Sequence, residues 1–150
     1  MVARADGELT VLAVDAGRIA VRTASGVRLL TQSGRALWDI AVTGVRNAAL
    51  SGKRLAVKTA NAVEVYDTST GGLLARFPSV RGRLQDLDRD ILVTASGGTV
   101  TLRRLSNGRT TTIPAGRTGL AQLERQGLFV ATARRVTFIP MRDVLRRLAS

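Results

Sequence analysis

The sequence contains no cysteine and no histidine. Without cysteine there is no disulfide bond, no thiolate nucleophile and no zinc site with cysteine ligands. Without histidine there is no imidazole to act as a general base near neutral pH, to activate a serine or to bind a metal ion. The common catalytic sets that depend on these two side chains are excluded, so the sequence predicts neither an enzyme nor a cofactor.

Aromatic residues and long apolar segments are also scarce. Aromatic side chains make up 3% of the chain, which leaves few platforms for stacking the bases of single-stranded nucleic acid. The first residues, MVARADGEL, lack a charged segment followed by an apolar stretch, and no apolar run approaches the roughly 18 residues of a membrane span. We expect a protein of the cytoplasm, or of an extracytoplasmic compartment if the chain belongs to a longer exported protein.

Positive charge, in contrast, is abundant. The 23 basic and 11 acidic residues give a formal net charge of +12 at pH 7, which raises nucleic acid or another polyanion as a partner. Only Lys53 and Lys58 are lysines, however, and a GC-rich coding sequence produces such an arginine bias by itself. The alternative is that the arginines form solvated rims of strands. The candidate polyanion contacts are Arg81, Arg83, Arg103, Arg104, Arg134 and Arg135.

The chain is built from a repeat. An apolar residue opens each copy and a valine follows eight residues later, so that successive copies begin 36, 37 and 36 residues apart. Short apolar and β-branched segments within each copy are separated by Gly, Asn and Asp turns, which predicts a meander of antiparallel strands. The opening residues are Ile19, Leu55, Leu92 and Leu128. The valines are Val27, Val63, Val100 and Val136.

Side-chain alternation predicts how these strands are arranged. In the third strand of a copy, Val100 and Leu102 point to one face and Thr101 to the other. The second strands are apolar on both faces, as at Leu128 and Phe129, so we expect both faces to be covered. Neighbouring sheets on each side would cover them, as in a β-propeller. The predicted sheets span residues 9–40, 46–78, 83–114 and 119–139.

The fourth copy departs from the pattern after Pro140. The segment that follows, MRDVLRRLAS, has its apolar residues at the spacing of an amphipathic helix. We therefore predict an all-β domain of four-stranded antiparallel sheets, of which the last lacks its outer strand, and a helix over residues 141–148. The apolar residues of that helix are Met141, Val144, Leu145 and Leu148.

Two segments resemble known propeller repeats. Val63-Glu64-Val65-Tyr66-Asp67, followed by Thr70-Gly71, resembles the blade signature shared by WD40-like, YVTN-like and quinoprotein-like propellers. Ser33-Gly34-Arg35-Ala36-Leu37-Trp38 is similar to the tryptophan-docking segment of the quinoprotein (PQQ-like) family, although no other copy keeps the tryptophan. The resemblance covers nearly the whole chain and implies a degenerate propeller. The structural repeat markers are Trp38, Tyr66, Asp67, Gly34, Gly71 and Gly108.

The repeats, together with the absence of a catalytic set, favour binding over catalysis. Our first hypothesis is a non-catalytic propeller module, or scaffold, that presents loops to a protein or another ligand. The second is the basic polyanion surface. The third is a remnant of a quinone-dependent dehydrogenase, although this chain does not show the acidic and cation-binding residues of that class. Asp86, Asp88 and Asp90 alternate and could surround Ca²⁺, but they fit a strand end and its turn more simply.

The missing outer strand bears on how the propeller closes. We expect these sheets to be the C-terminal part of a larger propeller, or to self-associate to close a ring, so that the partner is another protein or the remaining blades. An open ring would leave apolar sheet faces exposed. The alternative is a four-bladed ring in which residues 2–5 pair beside residues 136–139. In either case we expect Trp38 to pack between blades and not to line a ligand pocket.

Overall fold

A computed structural model describes residues 9–116 and 119–150 of the chain. These residues form fifteen strands and one helix. The strands make four antiparallel sheets, and within each sheet the strands lie side by side in the order of the sequence. The prediction of an all-β fold with a C-terminal helix is confirmed. The alternative pairing of residues 2–5 lies outside the described residues.

The first two sheets have four strands each, joined by short turns. The first sheet consists of β1 (Thr10–Asp15), β2 (Arg18–Thr23), β3 (Gly26–Thr31) and β4 (Ala36–Ala41). The second sheet consists of β5 (Asn47–Ser51), β6 (Arg54–Lys58), β7 (Ala62–Asp67) and β8 (Leu73–Pro78).

The third sheet also has four strands, whereas the fourth has three and is followed by the helix. The third sheet consists of β9 (Arg83–Asp88), β10 (Ile91–Ser96), β11 (Thr99–Arg104) and β12 (Thr110–Pro114). The fourth consists of β13 (Leu120–Glu124), β14 (Gly127–Ala131) and β15 (Val136–Pro140), and the helix is α1 (Met141–Ala149).

The chain divides into two compact units, of which the first ends at Val80 and the second begins at Arg81. The core of the first unit lies between the first and second sheets and includes Trp38 at its margin. Burying a large aliphatic side chain contributes about 1.5–3 kcal/mol, so this core is the main source of the unit's stability. Its buried members are Ala20, Val27, Leu29, Leu55, Val57 and Tyr66.

The core of the second unit lies between the third and fourth sheets and under α1. The helix begins after Pro140, carries Asp143 in its first turn and Arg146 and Arg147 in its last turn, which suits the helix dipole. Its apolar stripe contacts β11, β12, β14 and β15. The buried members of this core are Ile91, Val93, Val100, Leu102, Ile113, Ala115, Ala121, Leu123, Leu128, Val130, Val144 and Leu148.

The structure corrects the sequence-based prediction in one respect. The sequence predicts that the second strand of the fourth copy is covered on both faces, but only the face of Leu128 and Val130 is buried, and Phe129 on the other face is 36% exposed. The physical reason is that Leu128 faces the third sheet in the core of the second unit, whereas Phe129 points to the opposite face of the fourth sheet, which no other strand of the second unit covers within the described residues.

Candidate interaction surface

The fourth sheet exposes an apolar face. Phe129 and Phe138 are cross-strand neighbours, and their ring centroids lie 4.8 Å apart with the planes tilted by 38°. Leu120 and Val136 both face Ala131 in the register of the sheet and share this side of it. The exposed fractions are 65% for Leu120, 36% for Phe129, 69% for Val136 and 45% for Phe138. These four side chains form a surface that we call the open face.

The repeat positions that are exposed on the open face are buried in other sheets of the chain. The repeat aligns Phe129, Val136 and Phe138 with residues of the first and third sheets that are at most 1% exposed. Within each unit these residues belong to the core between two sheets. The covered counterparts are Ala20, Val27 and Leu29 in the first sheet and Val93, Val100 and Leu102 in the third.

A groove lies on the other side of β15. It has a volume of about 520 Å³ and is lined by Pro114, Val130 and Thr137 together with the turns that flank these strands. Arg134 and Arg135 stand in the turn between β14 and β15 and also line it. We call this the β15 groove. Ligand pockets commonly have volumes of 300–1,000 Å³, so the groove can admit side chains of a ligand.

The six candidate polyanion contacts do not form one patch. Arg83 pairs in register with Ala95, at the end of the third sheet where the turn between β10 and β11 lies. Arg104 pairs with Ile91, at the opposite end of the same sheet. Arg81 precedes Arg83 and belongs to the first group, while Arg103 lies beside Arg104.

The arginines at the two ends also differ in their contacts. Arg104 forms an ion pair with Asp90, with 3.3 Å between Nε and the carboxylate oxygen, and Arg103 donates to the carbonyl of Gly108 at 3.2 Å. Burial lowers the pKa of Arg103. Arg83 lines a second groove of about 270 Å³ that shares Ala115 and Gly116 with the β15 groove. Basic side chains available to a ligand therefore gather at the Arg83 end.

The repeat markers of the first unit hold its two sheets together. The indole N–H of Trp38 donates to the carbonyl of Thr68 at 2.9 Å, and its ring packs on Gly71, where an added Cβ would lie 3.1 Å from the indole. Asp67 accepts hydrogen bonds from the hydroxyl of Ser69 and from the amides of Ser69 and Thr70, the amides at 2.7 and 3.2 Å, and these bonds lower its pKa. These contacts give the markers a structural role.

Two further markers are turn glycines with positive φ, at 85° for Gly34 and 70° for Gly108. Tyr66 is buried, and its hydroxyl donates to a carboxylate oxygen of Glu64 at 2.5 Å. Burial, reinforced by this contact, raises the pKa of Tyr66 above its usual range. No ligand is needed to explain any of these three residues.

Two of the three alternating aspartates, Asp86 and Asp90, contact different parts of the structure. Asp86 accepts from the amide of Leu123 at 2.7 Å, across the interface between the third and fourth sheets. Asp90 instead accepts from Ser106 at 2.6 Å and from Arg104. Over residues 9–116 and 119–150 there is no group of three His, Cys, Asp or Glu side chains that could hold a metal ion. In the same residues no helix is long and apolar enough to cross a membrane.

Sequence reasoning did not single out the contact of Asp86 or the β15 groove. Both depend on which residues of different sheets become neighbours, and a repeat pattern does not specify this. The absence of an outer strand after Pro140 was the available signal, because no strand of residues 9–116 and 119–150 then pairs with the outer edge of β15.

Comparisons with known proteins concern the fold. No family model and no curated protein matches the chain. Among solved structures, Hsv2 of Kluyveromyces lactis is similar with a TM-score of 0.66 and 11% identity, over 87% of this chain and 45% of that one. The WD40 domain of Pan2 from Neurospora crassa has a TM-score of 0.59 and 16% identity, over 87% of this chain and 45% of that one.

A third similar structure is PorZ, a surface component of the type-IX secretion system of Porphyromonas gingivalis. Its TM-score is 0.63 and its identity 13%, over 90% of this chain and 20% of that one. The chain thus spans less than half the length of each of these structures. Together with the four antiparallel sheets, the likeness defines the class of fold as a β-propeller.

Proposed function

We propose that the chain is a non-catalytic β-propeller module that binds another protein, or further blades of a propeller, through its fourth sheet. The observation that carries this proposal is the open face, where Phe129, Val136 and Phe138 are exposed although their counterparts in two other sheets are buried. Contiguous exposed apolar surface of this kind marks interaction sites, because covering it removes apolar area from water.

The double variant Phe129→Ser/Phe138→Ser tests the proposal. Without a natural partner, the open face should make the purified chain self-associate reversibly, and the double variant should stay monomeric in sedimentation equilibrium. The matched control is Leu73→Ser/Leu74→Ser on β8, whose side chains are 55% and 54% exposed and lie outside the open face. A wild-type chain that remains monomeric at all concentrations, or a control that behaves like the double variant, would contradict the proposal.

The proposed type of repeat is PQQ-like or YVTN-like. The segment from Ser33 to Trp38 supports it, because Trp38 packs onto the turn of the next sheet at Gly71, which is the role of a docking tryptophan. A non-catalytic module of this type should reduce no dye after addition of the quinone and Ca²⁺. Dye reduction under those conditions would restore the dehydrogenase hypothesis.

A polyanion-binding surface is the second candidate function. Arg83, Arg134 and Arg135 support it, since they line two adjacent grooves with no Asp or Glu among the lining residues that the structure describes. Binding of a labelled DNA duplex should then weaken steeply as salt is raised, because phosphate contacts release counterions. Electrophoretic mobility that is the same in the Arg134→Glu/Arg135→Glu variant would reject this candidate.

A further inference from the structure

Strand β15 forms one edge of the fourth sheet, and main-chain hydrogen bonds fix its register. The amide of Thr132 donates to the carbonyl of Arg135 at 2.8 Å, and the amide of Met141 donates to the carbonyl of Gln126 at 2.9 Å. Bonded and non-bonded pairs alternate in an antiparallel ladder. Between the bonded pairs Thr132–Arg135 and Gln126–Met141, every second pair in the register of β14 and β15 is therefore also hydrogen-bonded.

By this alternation, Thr137 and Ile139 direct their N–H and C=O groups to β14, whereas Val136 and Phe138 direct theirs away from it. No strand pairs with the outer side of β15 in residues 9–116 and 119–150. The outward groups of Val136 and Phe138 can thus pair with a strand from another molecule, which is the recognition mode of strand addition.

The other three sheets show which register an added strand would take. In each of them, the residue at the position of Val136 faces a large apolar residue of the fourth strand, which runs antiparallel to the third. These pairs are Val27 with Ile40, Val63 with Phe77 and Val100 with Ile113. The residues that follow this apolar residue in the fourth strand lie opposite the residues that precede the valine in the third strand. In the fourth sheet, the residues that precede Val136 are Arg135 and Arg134.

Within residues 9–116 and 119–150, no carboxylate compensates the charge at that end. Arg134 and Arg135 line the β15 groove, and none of its described lining residues is Asp or Glu. Neither arginine forms an ion pair within the described part of the chain, whereas Arg28, Arg76 and Arg104 pair with carboxylates at 2.7, 3.2 and 3.3 Å. A carboxylate on an added strand would find two arginines there, and charge-assisted hydrogen bonds to arginine are stronger than neutral ones.

We infer that the free edge of β15 binds an extended acidic segment of a partner protein, which supplies the fourth strand of the fourth sheet. The segment runs antiparallel to β15, places an apolar side chain opposite Val136 and places carboxylates opposite Arg135 and Arg134. The inference rests on the proposed function, because both make the fourth sheet the contact surface. It adds the chemistry of the partner and the edge at which the partner binds.

The probe is a labelled peptide based on β12, the fourth strand of the third sheet. Its sequence is TTTIEE with blocked ends, in which glutamates replace the positions of Pro114 and Ala115. We expect saturable binding to the full chain in fluorescence anisotropy. The peptides TTTIKK and EETTTI should bind at least about tenfold more weakly, because one has the wrong charge and the other carries its carboxylates at the wrong end.

Variants of the chain locate the binding. Arg134→Glu/Arg135→Glu should weaken binding of TTTIEE at least about tenfold, and Arg125→Glu/Arg142→Glu, with the same change in net charge at the opposite end of the sheet, should not. Val136→Pro removes an outward N–H and should weaken binding more than Val136→Ala does. If Val136→Pro does not fold, a peptide with methylated main-chain amides provides the same test on the wild-type chain.

Three outcomes would overturn the inference. If the control variant Arg125→Glu/Arg142→Glu lost as much peptide binding, the peptide would be held by general attraction between opposite charges and not by the edge of β15. Binding that appears only after residues 1–8 are removed would assign the edge to the chain's own first residues. Absence of peptide binding would remove the inference alone, provided that Phe129→Ser/Phe138→Ser still abolishes self-association, because the proposed function would then stand.

Discussion

The main-chain amide of Leu123 donates a hydrogen bond of 2.7 Å to the carboxylate of Asp86, and this bond joins the fourth sheet to the third. A second amide, that of Leu87, donates to the other carboxylate oxygen at 2.8 Å. Asp86 therefore satisfies two amides at an apolar interface. Its removal leaves at least one of them without an acceptor.

We expect Asp86→Ala to lower the free energy of unfolding by about 1–3 kcal/mol, the cost of an unsatisfied buried donor. Asp86→Asn should cost less, because the amide oxygen still accepts one hydrogen bond. Urea unfolding of both variants at neutral pH, followed by circular dichroism, measures the difference. If Asn is as damaging as Ala, the hydrogen bond to Leu123 is not the source of the effect.

Asp86 also predicts a dependence of stability on pH. Burial raises the pKa of its carboxyl, against the two amide hydrogen bonds, and Asp88 and Glu124 raise it further. The native state thus holds a proton that the unfolded chain has lost, so this residue lowers the stability as pH rises from about 3.9 through the raised native pKa. Thermal unfolding across this range should show a smaller decline for Asp86→Asn than for the wild type. An identical decline would contradict the assignment.

The helix offers a matched pair of leucines. Leu148 is fully buried in the core of the second unit, whereas Leu145 is 41% exposed. Leu148→Ala should therefore lower the free energy of unfolding by about 2–5 kcal/mol, through lost burial and a cavity. Leu145→Ala should change it by only about 0.5 kcal/mol. Similar effects in urea unfolding would mean that α1 does not pack on the sheets.

Two glycines of the first unit both have positive φ but differ in whether an added Cβ would clash. At Gly26, with φ of 155°, an added Cβ would lie 2.0 Å from the carbonyl oxygen of Ile40, so an alanine must displace β4. At Gly52, with φ of 53°, nothing lies within 4 Å. Gly52→Ala should cost roughly 1–2 kcal/mol for the left-handed backbone. Gly26→Ala should cost more in the same unfolding measurement, and the reverse order would refute the predicted clash.

Tyr66 should resist ionisation in the native state. Burial raises the pKa of its hydroxyl first, and the hydrogen bond to Glu64 adds to this. Tyrosinate absorbance should therefore appear well above pH 10 for the native chain and near pH 10 in urea. Since the unfolded chain loses this proton first, stability falls as pH rises past about 10. A normal titration of the native chain would show that Tyr66 is exposed.

The sequence predicted the sheets because a two-residue period, repeated at nearly constant spacing, requires apolar residues to meet apolar residues on a shared face. Phe129 shows where that reasoning stops, since the same period does not say whether a neighbouring sheet is present. Arg83 and Arg104 show a second limit. Arg83 begins one strand of the third sheet and Arg104 ends another, and their paired partners Ala95 and Ile91 show that they lie at opposite ends of the sheet.

The contact of Asp86 with Leu123 could not be predicted for a related reason. An aspartate within a strand is common at a solvated edge, and its pattern with Asp88 and Asp90 fits a turn equally well. What makes Asp86 structural is an amide from the next sheet, 37 residues further along the chain. Contacts between copies of a repeat depend on the rotation between sheets, which side-chain periodicity does not encode.

Trp38 lies in β4 and Tyr66 in β7, and the sequence contains no other tryptophan or tyrosine. The second unit therefore has no intrinsic fluorophore other than phenylalanine, and emission excited at the indole band originates in the first unit. An intrinsic-fluorescence screen thus has no reporter within the fourth sheet itself. A tryptophan introduced by Phe138→Trp would give that sheet an optical reporter of its own.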